Sequence, residues 1–410
     1  MTNFMNSTIT DIAKTYGTPC WVYDAETIVS QINKLKKFDV IRYAQKANSN
    51  LSILKLMKKE GIVLDSVSLG EIERAIAAGY NVSGENAEIV FTADLMDKDT
   101  LDKIVDLNIP VNAGSPQMIS QLGERSPNHP IWLRINPGFG HGHTKKTNTG
   151  GENSKHGLWY EHLQDYVELV NKYNLNLVGL HMHIGSGTDY NHLQHVCQAM
   201  VETVKAGGQD IKCISAGGGL SVPYQDDDKE IDCDLYYFIW DKARRDIEEH
   251  LNHEVKLEIE PGRFLVANSG ILISEVRAIK PMGNNHFVLV DAGFNDLMRP
   301  SMYGSRHRMT LLSNSEINEL PMVDTIVGGP LCESGDVFTQ ELGGDVYHYP
   351  LPQAHEGDFL VFHEAGAYGA SMSSNYNSRT LCPEVLIDGS DIKLIRRRQD
   401  IQELISLEML

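Results

Sequence analysis

The sequence has 410 residues, of which 41% are hydrophobic and 22% charged, as is typical of a globular enzyme with room for two domains. Its formal net charge of −19 argues against nucleic acid or an anionic membrane surface as the main partner. No stretch approaches the roughly 20 apolar residues of a membrane span. The segment Met1–Lys14 lacks a secretory signal pattern, and the 6 cysteines contain no CxxC pair, so we expect free thiols and a cytoplasmic protein.

The N-terminal part predicts a short helix followed by a strand over Cys20–Tyr23. From about residue 38, strand-like runs alternate with amphipathic patterns typical of helices. The predicted strands are Val40–Ala44, Val63–Val67, Glu88–Phe91, Ile109–Val111, Ile131–Ile135, Leu177–Met182, Lys212–Ser215 and Lys256–Ile259. The predicted helices between them are Leu51–Lys59, Leu69–Gly79, Asp97–Leu107, Gln117–Leu122, Tyr160–Tyr173, His192–Gly207 and Leu235–Leu251.

Strands that alternate with helices are parallel, and eight of them predict an α/β fold with a closed (β/α)8 TIM-type barrel. The alternative is an open doubly wound sheet. However, no G-x-G-x-x-G turn follows the first strand, so the barrel is the better prediction.

After Glu260 the alternation stops, and strand-like runs predict a C-terminal, mostly antiparallel β domain. Its predicted strands are Gly270–Ala278, His286–Val290, Asp324–Val327, Phe359–Phe362 and Val385–Leu394, the last folded at Asp388-Gly389. A short helix over Asp400–Leu407 follows. We therefore expect residues 1–25 to pack with the β domain, residues 26–265 to form the barrel, and residues 266–410 to form the β domain.

Every predicted barrel strand is followed by a residue that can take part in chemistry. These residues are Lys46, Ser66 and Ser68, Thr92, Asn112, Asn136, His183, Gly217–Gly219 and Glu260. Barrel enzymes build their active sites from the carboxyl ends of the strands. The pattern therefore predicts an active site at this end of the barrel.

Lys46 lies in the segment Tyr43-Ala44-Gln45-Lys46-Ala47-Asn48, where the first barrel strand becomes a loop. An ammonium group is costly to bury without a partner. A lysine at this position could hold an aldehyde cofactor as a Schiff base. On Lys46 alone, a packed stem with a solvated amine is the better interpretation.

Two further barrel segments suit an anionic, aromatic ligand. Gly217-Gly218-Gly219 would let backbone N–H groups approach a phosphate, although a tight turn also explains three glycines. In Glu260-Pro261-Gly262-Arg263, the carboxylate could hold a pyridine nitrogen protonated while Gly262 and Arg263 face anions. A salt bridge between Glu260 and Arg263 is an equally good interpretation.

His181 and His183 face the same side of their strand by alternation. A zinc pair is one interpretation, but no third ligand has convincing spacing, so we expect no metal. The other is a neutral imidazole stacked on a flat cofactor ring, with Gly185 and Ser186 near a phosphate.

The β domain holds a second group of chemically useful residues. The adjacent thiol and carboxylate of Cys332 and Glu333 could donate a proton and bind an ammonium group. For an isolated cysteine, ordinary packing is the better interpretation. Tyr368 lies in a glycine-rich turn, and Arg299 with Tyr303 adds a cation and a second phenol.

Taken together, these motifs resemble the diaminopimelate decarboxylase family over nearly the whole chain. The segments that carry the resemblance are 43–48, 183–186, 217–219, 260–263, 299–303, 329–336, 366–368 and 373–379. The family belongs to the alanine-racemase-like, fold-type III enzymes that use pyridoxal 5′-phosphate (PLP). The resemblance implies decarboxylation of meso-2,6-diaminopimelate to L-lysine and CO2, the last step of bacterial lysine biosynthesis.

The resemblance also implies a role for each candidate residue. The cofactor-binding residues would be Lys46, His183, Ser186, Gly219, Glu260, Pro261, Gly262, Arg263 and Tyr368. The substrate-binding residues would be Arg263, Arg299, Tyr303, Glu333 and Tyr368. Lys46 would form the Schiff base, His183 would stack on the ring, and Cys332 would protonate the carbon that loses CO2.

In this family Cys332 and Glu333 would come from a partner subunit, so a homodimer with shared active sites is implied. Two alternatives stay open. One is a related PLP decarboxylase for ornithine, lysine or carboxynorspermidine, which would have no use for an arginine pair facing a distal carboxylate. The other is a non-catalytic PLP-binding protein, which would not need Cys332 and Glu333.

Overall fold

The structure, a computed structural model, describes residues 6–84, 86–140, 149–183, 185, 189–313 and 320–409. The chain divides into two compact units. The barrel unit comprises Gln31–Ser221 and Glu230–Phe264. The β unit comprises the N-terminal segment to Ser30, Val222–Lys229 and Leu265–Leu410. Within the described ranges, no helix combines the length and the apolar character that crossing a membrane requires.

The strands found in the described residues are, in chain order, β1 (Cys20–Asp24), β2 (Val40–Ala44), β3 (Val63–Ser66), β4 (Ile89–Ala93), β5 (Val111–Ala113), β6 (Pro130–Asn136), β7 (Leu158–Trp159), β8 (Asn176–His181), β9 (Cys213–Ser215), β10 (Lys256–Ile259), β11 (Gly270–Met282), β12 (Asn285–Val290), β13 (Met309–Leu312), β14 (Met322–Gly328), β15 (Tyr349–Pro352), β16 (Phe359–Phe362), β17 (Glu384–Asp388) and β18 (Asp391–Arg396). The helices are α1 (Asn6–Tyr16), α2 (Ala25–Asn33), α3 (Leu51–Lys59), α4 (Leu69–Ala77), α5 (Lys98–Leu107), α6 (Pro116–Gly123), α7 (Leu163–Lys172), α8 (Tyr190–Gly207), α9 (Cys233–Leu251), α10 (Arg263–Val266), α11 (Arg299–Tyr303) and α12 (Ile401–Ile405).

In the described part of the barrel unit, eight parallel strands close into a ring in the order β2, β3, β4, β5, β6, β8, β9 and β10, with β10 pairing β2 again. The short strand β7 adds to β6 outside the ring. The closed ring confirms the TIM-type barrel, and each predicted strand overlaps an observed one, although β5 lies two residues later than predicted. The open doubly wound sheet is excluded because β10 pairs β2 and β5 pairs β6.

Most of the barrel helices begin where a polar side chain caps their first turn, whereas α7 has no side-chain cap. Ser68, Asp97, Ser115, Asp189 and Asp232 each accept a backbone N–H at the start of a helix. Ser68, which the sequence presented as available for chemistry after β3, therefore serves as the cap of α4.

A buried ion pair fills the barrel interior one layer below the carboxyl end of β10. Arg42 on β2 donates to both oxygens of Glu258 on β10, at 3.0 and 2.9 Å. The Arg42 guanidinium also lies 5.6 Å from the centre of the Trp132 ring. Because alternate residues of a strand share a face, Glu258 and Glu260 both point into the barrel.

The β unit contains a sheet in the order β15-β14-β12-β11-β1-β17-β18, to which β16 joins through β11 and β13 through β16. Six of its pairings are antiparallel, and β1–β17 and β12–β14 are parallel, so the mostly antiparallel prediction is confirmed. Strand β1 lies between β11 and β17. The helix α1 buries Ile9 and Ile12 in the cluster that also contains Val22 and Ile273.

Strands β13 and β15 and helix α11 of the β unit were not predicted, and neither were α2 and α10, which each include residues of both units. Strand β15 contains Pro350 and Pro352 and lies at the edge of the sheet, the position where proline is tolerated. Strand β13 is short, and α11 is a five-residue helix with proline near its start. The predicted hairpin turn at Asp388-Gly389 joins β17 to β18, and the predicted last helix begins after its cap, Asp400.

Candidate active site

Lys46 lies just beyond the carboxyl end of β2, in a short 3-10 turn over Gln45–Ala47. Its side chain is exposed, whereas both neighbours are buried. Gln45 fastens this turn, because its Nε2 donates to Ser66 Oγ at 2.7 Å and to the carbonyl oxygen of Glu71 at 3.1 Å. The turn therefore buries Gln45 and Ala47 and leaves the Lys46 amine accessible.

Two carboxyl groups with raised pKa values interact electrostatically with Lys46. Asp65 pairs with Ala44 in the register of β2 and β3. Burial raises the pKa of Asp65, and the charge of Glu260 raises it further. Burial is also the largest effect on the pKa of Glu71 and raises it to about 7, although the hydrogen bond from the Val67 N–H lowers it. Glu71 can therefore hold a proton near neutral pH, whereas Asp65, with a pKa of about 6, holds one only in more acidic solution.

Glu260, directly after β10, is buried and held by two side chains. His181 Nε2 lies 2.8 Å from Glu260 Oε2, and Ser215 Oγ donates to Glu260 Oε1 at 3.0 Å. Burial alone would raise the pKa of Glu260, but the charge and hydrogen bond of His181, with Arg42 and Ser215, hold that pKa below its usual range. Glu260 is therefore a buried carboxylate at neutral pH, and His181 donates to it through Nε2.

His183 follows β8 and is held as a neutral imidazole. The Gly218 N–H donates to His183 Nδ1 at 3.2 Å. Burial lowers the pKa of His183 well below its usual range, and the positive charges of Arg134 and Lys46 lower it further. A neutral ring that accepts at Nδ1 carries its proton on Nε2. His181 and His183 thus have different hydrogen-bond partners, Glu260 and the Gly218 N–H.

The glycines after β9 and β10 allow the backbone to pack unusually closely. Gly217 and Gly219 have φ values of 61° and 99°, which side-chain-bearing residues rarely adopt. A Cβ on Gly219 would lie 2.2 Å from the carbonyl oxygen of Gly185. A Cβ on Gly262 would lie 3.2 Å from the Ala44 side chain. A backbone that leaves no room for side chains can bring its N–H groups close to an anion, so the predicted phosphate contact at Gly219 and Gly262 stays a prediction. Ser186, the other predicted phosphate contact, lies outside the described residues.

Several buried polar atoms at the carboxyl end of the barrel strands have no hydrogen-bond partner in the described part of the chain. They are Gln45 Oε1, Asp65 Oδ1, Asn112 Oδ1, Arg134 Nε and His181 Nδ1. Buried polar atoms are rarely left unpaired in native proteins. A polar ligand at this end of the barrel would give these atoms partners.

In the β unit, Arg299 and Tyr303 form the two ends of helix α11. Arg299 is buried, and its Nη1 lies 2.9 Å from His307 Nε2, while its Nη2 donates to Ser305 Oγ at 3.2 Å. The Arg299 guanidinium also lies 4.6 Å from the centre of the Tyr224 ring. Neither His307 nor Tyr224 was singled out in the sequence.

Cys332 and Glu333 lie on an exposed turn of the β unit. Asp336 shapes this turn by accepting the N–H groups of Leu331 and Phe294, both at 2.7 Å. The Cys332 N–H donates to Asn377 Oδ1 at 3.0 Å. The turn is thus fixed from both sides while its thiol and carboxylate remain accessible.

The turn meets helix α11, because Ser301 Oγ donates to the carbonyl oxygen of Gly335 at 2.8 Å. Arg299, Tyr303, Cys332 and Glu333 therefore belong to one connected region of the β unit.

Tyr368 has a left-handed backbone with φ of 58°. This conformation is unfavourable for a residue with a side chain and is concentrated at functional sites. A Cβ on the neighbouring Gly366 would lie 1.9 Å from the carbonyl oxygen of Val266, and one on Gly369 would lie 2.4 Å from the Trp21 ring. Close packing on both sides therefore holds Tyr368 in its strained conformation.

Six of the predicted site residues lie at the carboxyl end of the barrel: Lys46, His183, Gly219, Glu260, Pro261 and Gly262. Arg263 follows them as the first residue of α10. The Ala44 N–H donates to the Pro261 carbonyl oxygen at 3.2 Å. Sequence reasoning missed Asp65, Arg134 and Ser215 at this end. The sequence signal that could have identified these three residues was a charged or hydroxyl side chain inside an otherwise apolar strand. For Tyr224 and His307, the sequence carried no such signal.

Comparison with known proteins gives a consistent result. Residues 25–267 match the family described as "Pyridoxal-dependent decarboxylase, pyridoxal binding domain". The chain is 62% identical to diaminopimelate decarboxylase of Streptomyces coelicolor, covering 97% of this chain and 90% of that protein. It is 60% identical to the same enzyme of Escherichia coli K12, covering 96% and 94%. A crystal structure of diaminopimelate decarboxylase, 58% identical, superposes with a TM-score of 0.97 over 100% of this chain and 99% of the other.

Proposed function

This chain belongs to the pyridoxal-dependent decarboxylase family, and we propose that it converts meso-2,6-diaminopimelate to L-lysine and CO2, the last step of bacterial lysine biosynthesis. The observation that carries the proposal is the buried Glu260 carboxylate, held by His181 and Ser215 at the barrel end that presents Lys46. The substrate follows from the names of relatives that are about 60% identical along almost the whole chain.

The residues at the carboxyl end of the barrel fit PLP. Lys46 would hold the cofactor covalently, the neutral His183 would lie against its ring, and the backbone around Gly219 and Gly262 would receive its phosphate. The polar atoms of Asp65 and Arg134 that lack partners in the described residues suit its polar substituents. When bound, PLP supplies a conjugated, electron-withdrawing ring that accepts the electron pair left when CO2 departs.

Glu260 contributes a fixed negative charge. Because the carboxylate is ionised and buried, it favours a proton on an aromatic nitrogen placed against it. His181 and Ser215 supply hydrogen bonds that keep the carboxylate in one orientation. His183 can lie against a cationic ring without repelling it, because its own pKa is too low for it to carry a charge.

The β unit would supply substrate recognition and the final proton. As the resemblance implies, Arg263, Arg299 and Tyr303 would bind the distal carboxylate, and Tyr368 would contact the phosphate or substrate. Glu333 would bind the distal ammonium group. As the bond to the departing carboxylate breaks, the remaining carbon would take the Cys332 proton, and water would then reprotonate the thiolate.

A homodimer is part of the proposal, because Cys332 and Glu333 would be supplied by a second copy of the chain. The exposure of both side chains on a firmly held turn supports this arrangement. We also propose a cytoplasmic location and no nucleic-acid partner. The six free cysteines and the net charge of −19 support these two points.

We expect CO2 release from meso-diaminopimelate to exceed release from L-lysine and L-ornithine by at least about 100-fold in kcat/KM, because only the first substrate offers the arginines a second carboxylate. The measurement is the initial rate of CO2 release from each purified substrate. Preference for L-lysine, L-ornithine or carboxynorspermidine would assign the chain to a related decarboxylase, and inactivity with all four substrates would indicate a non-catalytic binding protein.

Borohydride treatment of the PLP-loaded protein should leave a pyridoxyl group on Lys46. Peptide mass spectrometry would locate the group, and loss of the visible absorbance would follow the reaction. The exposed Lys55, on the nearby helix α3, is the matched control and should stay unmodified. A pyridoxyl group on any other lysine would contradict the role of Lys46.

A further inference from the structure

We propose that His307 is a positioning residue that, together with Tyr224, holds Arg299 for the distal carboxylate of the substrate. The inference rests on the proposed role of Arg299 and assigns the side chains that orient it. All the contacts that support it lie within the β unit.

The local chain path brings the partners of Arg299 back beside it. Helix α11 ends at Gly304, whose φ of 63° reverses the chain. The Ser305 N–H consequently lies 3.4 Å from the carbonyl oxygen of Arg299. The residues that follow then run past the start of the helix, where Ser305 Oγ and His307 Nε2 meet the guanidinium.

The hydrogen bonds of His307 define one protonation state. A guanidinium can only donate, so His307 Nε2, at 2.9 Å from Arg299 Nη1, must be the acceptor. Its Nδ1 lies 2.8 Å from the carbonyl oxygen of His363, which can only accept, so Nδ1 carries the proton. Both contacts therefore require the same neutral tautomer.

Tyr224 fixes the guanidinium in a second direction. Its ring centre lies 4.6 Å from the guanidinium carbon, and its ring meets the His307 ring edge-on at 5.4 Å and 83°. The two hydrogen bonds and the contact with the aromatic ring together restrict the movement of the guanidinium. His307, Ser305 and Tyr224 are neutral groups, so they orient Arg299 without cancelling its charge.

The arrangement around Arg299 also predicts how ligand affinity will change, which can be measured without turnover. L-Lysine, the product, keeps the distal carboxylate of the substrate, whereas cadaverine is the same carbon chain without it. A residue that positions Arg299 should affect the affinity for L-lysine and leave the affinity for cadaverine unchanged. A residue needed only for folding would weaken the binding of both ligands.

The test compares His307→Phe with His307→Gln in the PLP-loaded enzyme. Phenylalanine removes the acceptor, so we expect KM for meso-diaminopimelate and the Kd of L-lysine to rise roughly 10- to 100-fold, the range for a lost hydrogen bond to a charged group. kcat should change by less than about threefold, because the reacting centre is not touched. Glutamine can accept from Arg299, so it should restore most of the affinity.

Tyr224→Leu and Tyr224→Phe provide a second pair in case His307→Phe does not fold. Leucine removes the aromatic face and should raise the Kd of L-lysine roughly 3- to 30-fold, whereas phenylalanine keeps the face and should have little effect. The Kd of cadaverine should stay unchanged in every variant. Calorimetric titration measures both ligands, and thermal unfolding checks the fold.

The variant Arg299→Met tests the proposed role of Arg299 itself, independently of the residues that position it. If Arg299→Met weakens L-lysine but His307→Phe and Tyr224→Leu do not, the role of Arg299 stands and the positioning inference is wrong. If Arg299→Met leaves L-lysine binding unchanged, the proposed role of Arg299 fails and the inference fails with it. Support requires all three variants to weaken L-lysine and to spare cadaverine.

Discussion

Replacing Glu260 with glutamine is expected to lower kcat by roughly 10²- to 10³-fold while PLP stays bound, a loss typical of removing one preorganised electrostatic partner. Glutamine has nearly the shape of glutamate and can still accept from His181 or Ser215. It carries no charge, however, and cannot favour a proton on the ring nitrogen. Steady-state CO2 release gives kcat, and visible absorbance reports the bound cofactor.

Glu258→Gln is the matched control for this substitution. Glu258 lies two residues earlier, on β10, and also faces the barrel interior, but it pairs with Arg42. We expect this variant to lose stability, because a buried guanidinium keeps only a neutral partner. Its kcat should stay within about tenfold of the original, well short of the loss at Glu260. Equal losses of kcat in the two variants would show that Glu260 has no special role beside the cofactor.

The barrel could be predicted because its signals are local. Each strand is a short apolar run, each helix an amphipathic pattern, and strands and helices alternate along the chain. For this reason Lys46 and Glu260, distant in the chain, could both be assigned to one end of the barrel. The resemblance then supplied roles that the residues alone left open, such as those of Cys332 and Glu333.

The electrostatic environment of the site could not be predicted, because it depends on contacts between distant strands. Glu260 is ionised because His181 and Ser215, from two other strands, donate to it. Without them, burial would favour the protonated acid. Nor does the strand pattern distinguish His181, which bonds a carboxylate, from His183, which accepts from a backbone N–H.

The surroundings of Arg299 illustrate a second limit. Tyr224 lies in a polar loop after β9 that belongs to the β unit, although it interrupts the barrel sequence. Loop residues carry no periodic pattern that would assign them to a partner. Sequence reasoning could therefore propose Arg299 as a substrate ligand but could not identify the side chains that hold it.

Replacing Cys332 with alanine is expected to lower kcat by roughly 10²- to 10⁴-fold, the range for loss of a general acid, with PLP still bound. Serine at the same position can donate a proton only poorly and should recover little of the rate. Cys233→Ala, which changes a partly exposed cysteine on α9, is the matched control and should retain full activity. Normal turnover by Cys332→Ala would remove this thiol as the proton donor.

Co-expression of Lys46→Ala with Cys332→Ala tests whether two copies share each site. Each variant alone should be nearly inactive. A hybrid dimer would combine the intact Lys46 of one subunit with the intact Cys332 of the other. Because random pairing makes about half of the dimers hybrid and each hybrid has one intact site, the mixture should recover about a quarter of the original activity.

Activity no greater than the sum of the two separate variants would mean that each chain completes its own site. Sedimentation velocity on the same preparation would show whether dimers are present. Rescue in a dimeric sample would assign Lys46 and Cys332 of one active site to different subunits. It would also explain why the turn that carries Cys332 and Glu333 is held firmly by Asp336 and Asn377 while both side chains remain exposed in the single chain.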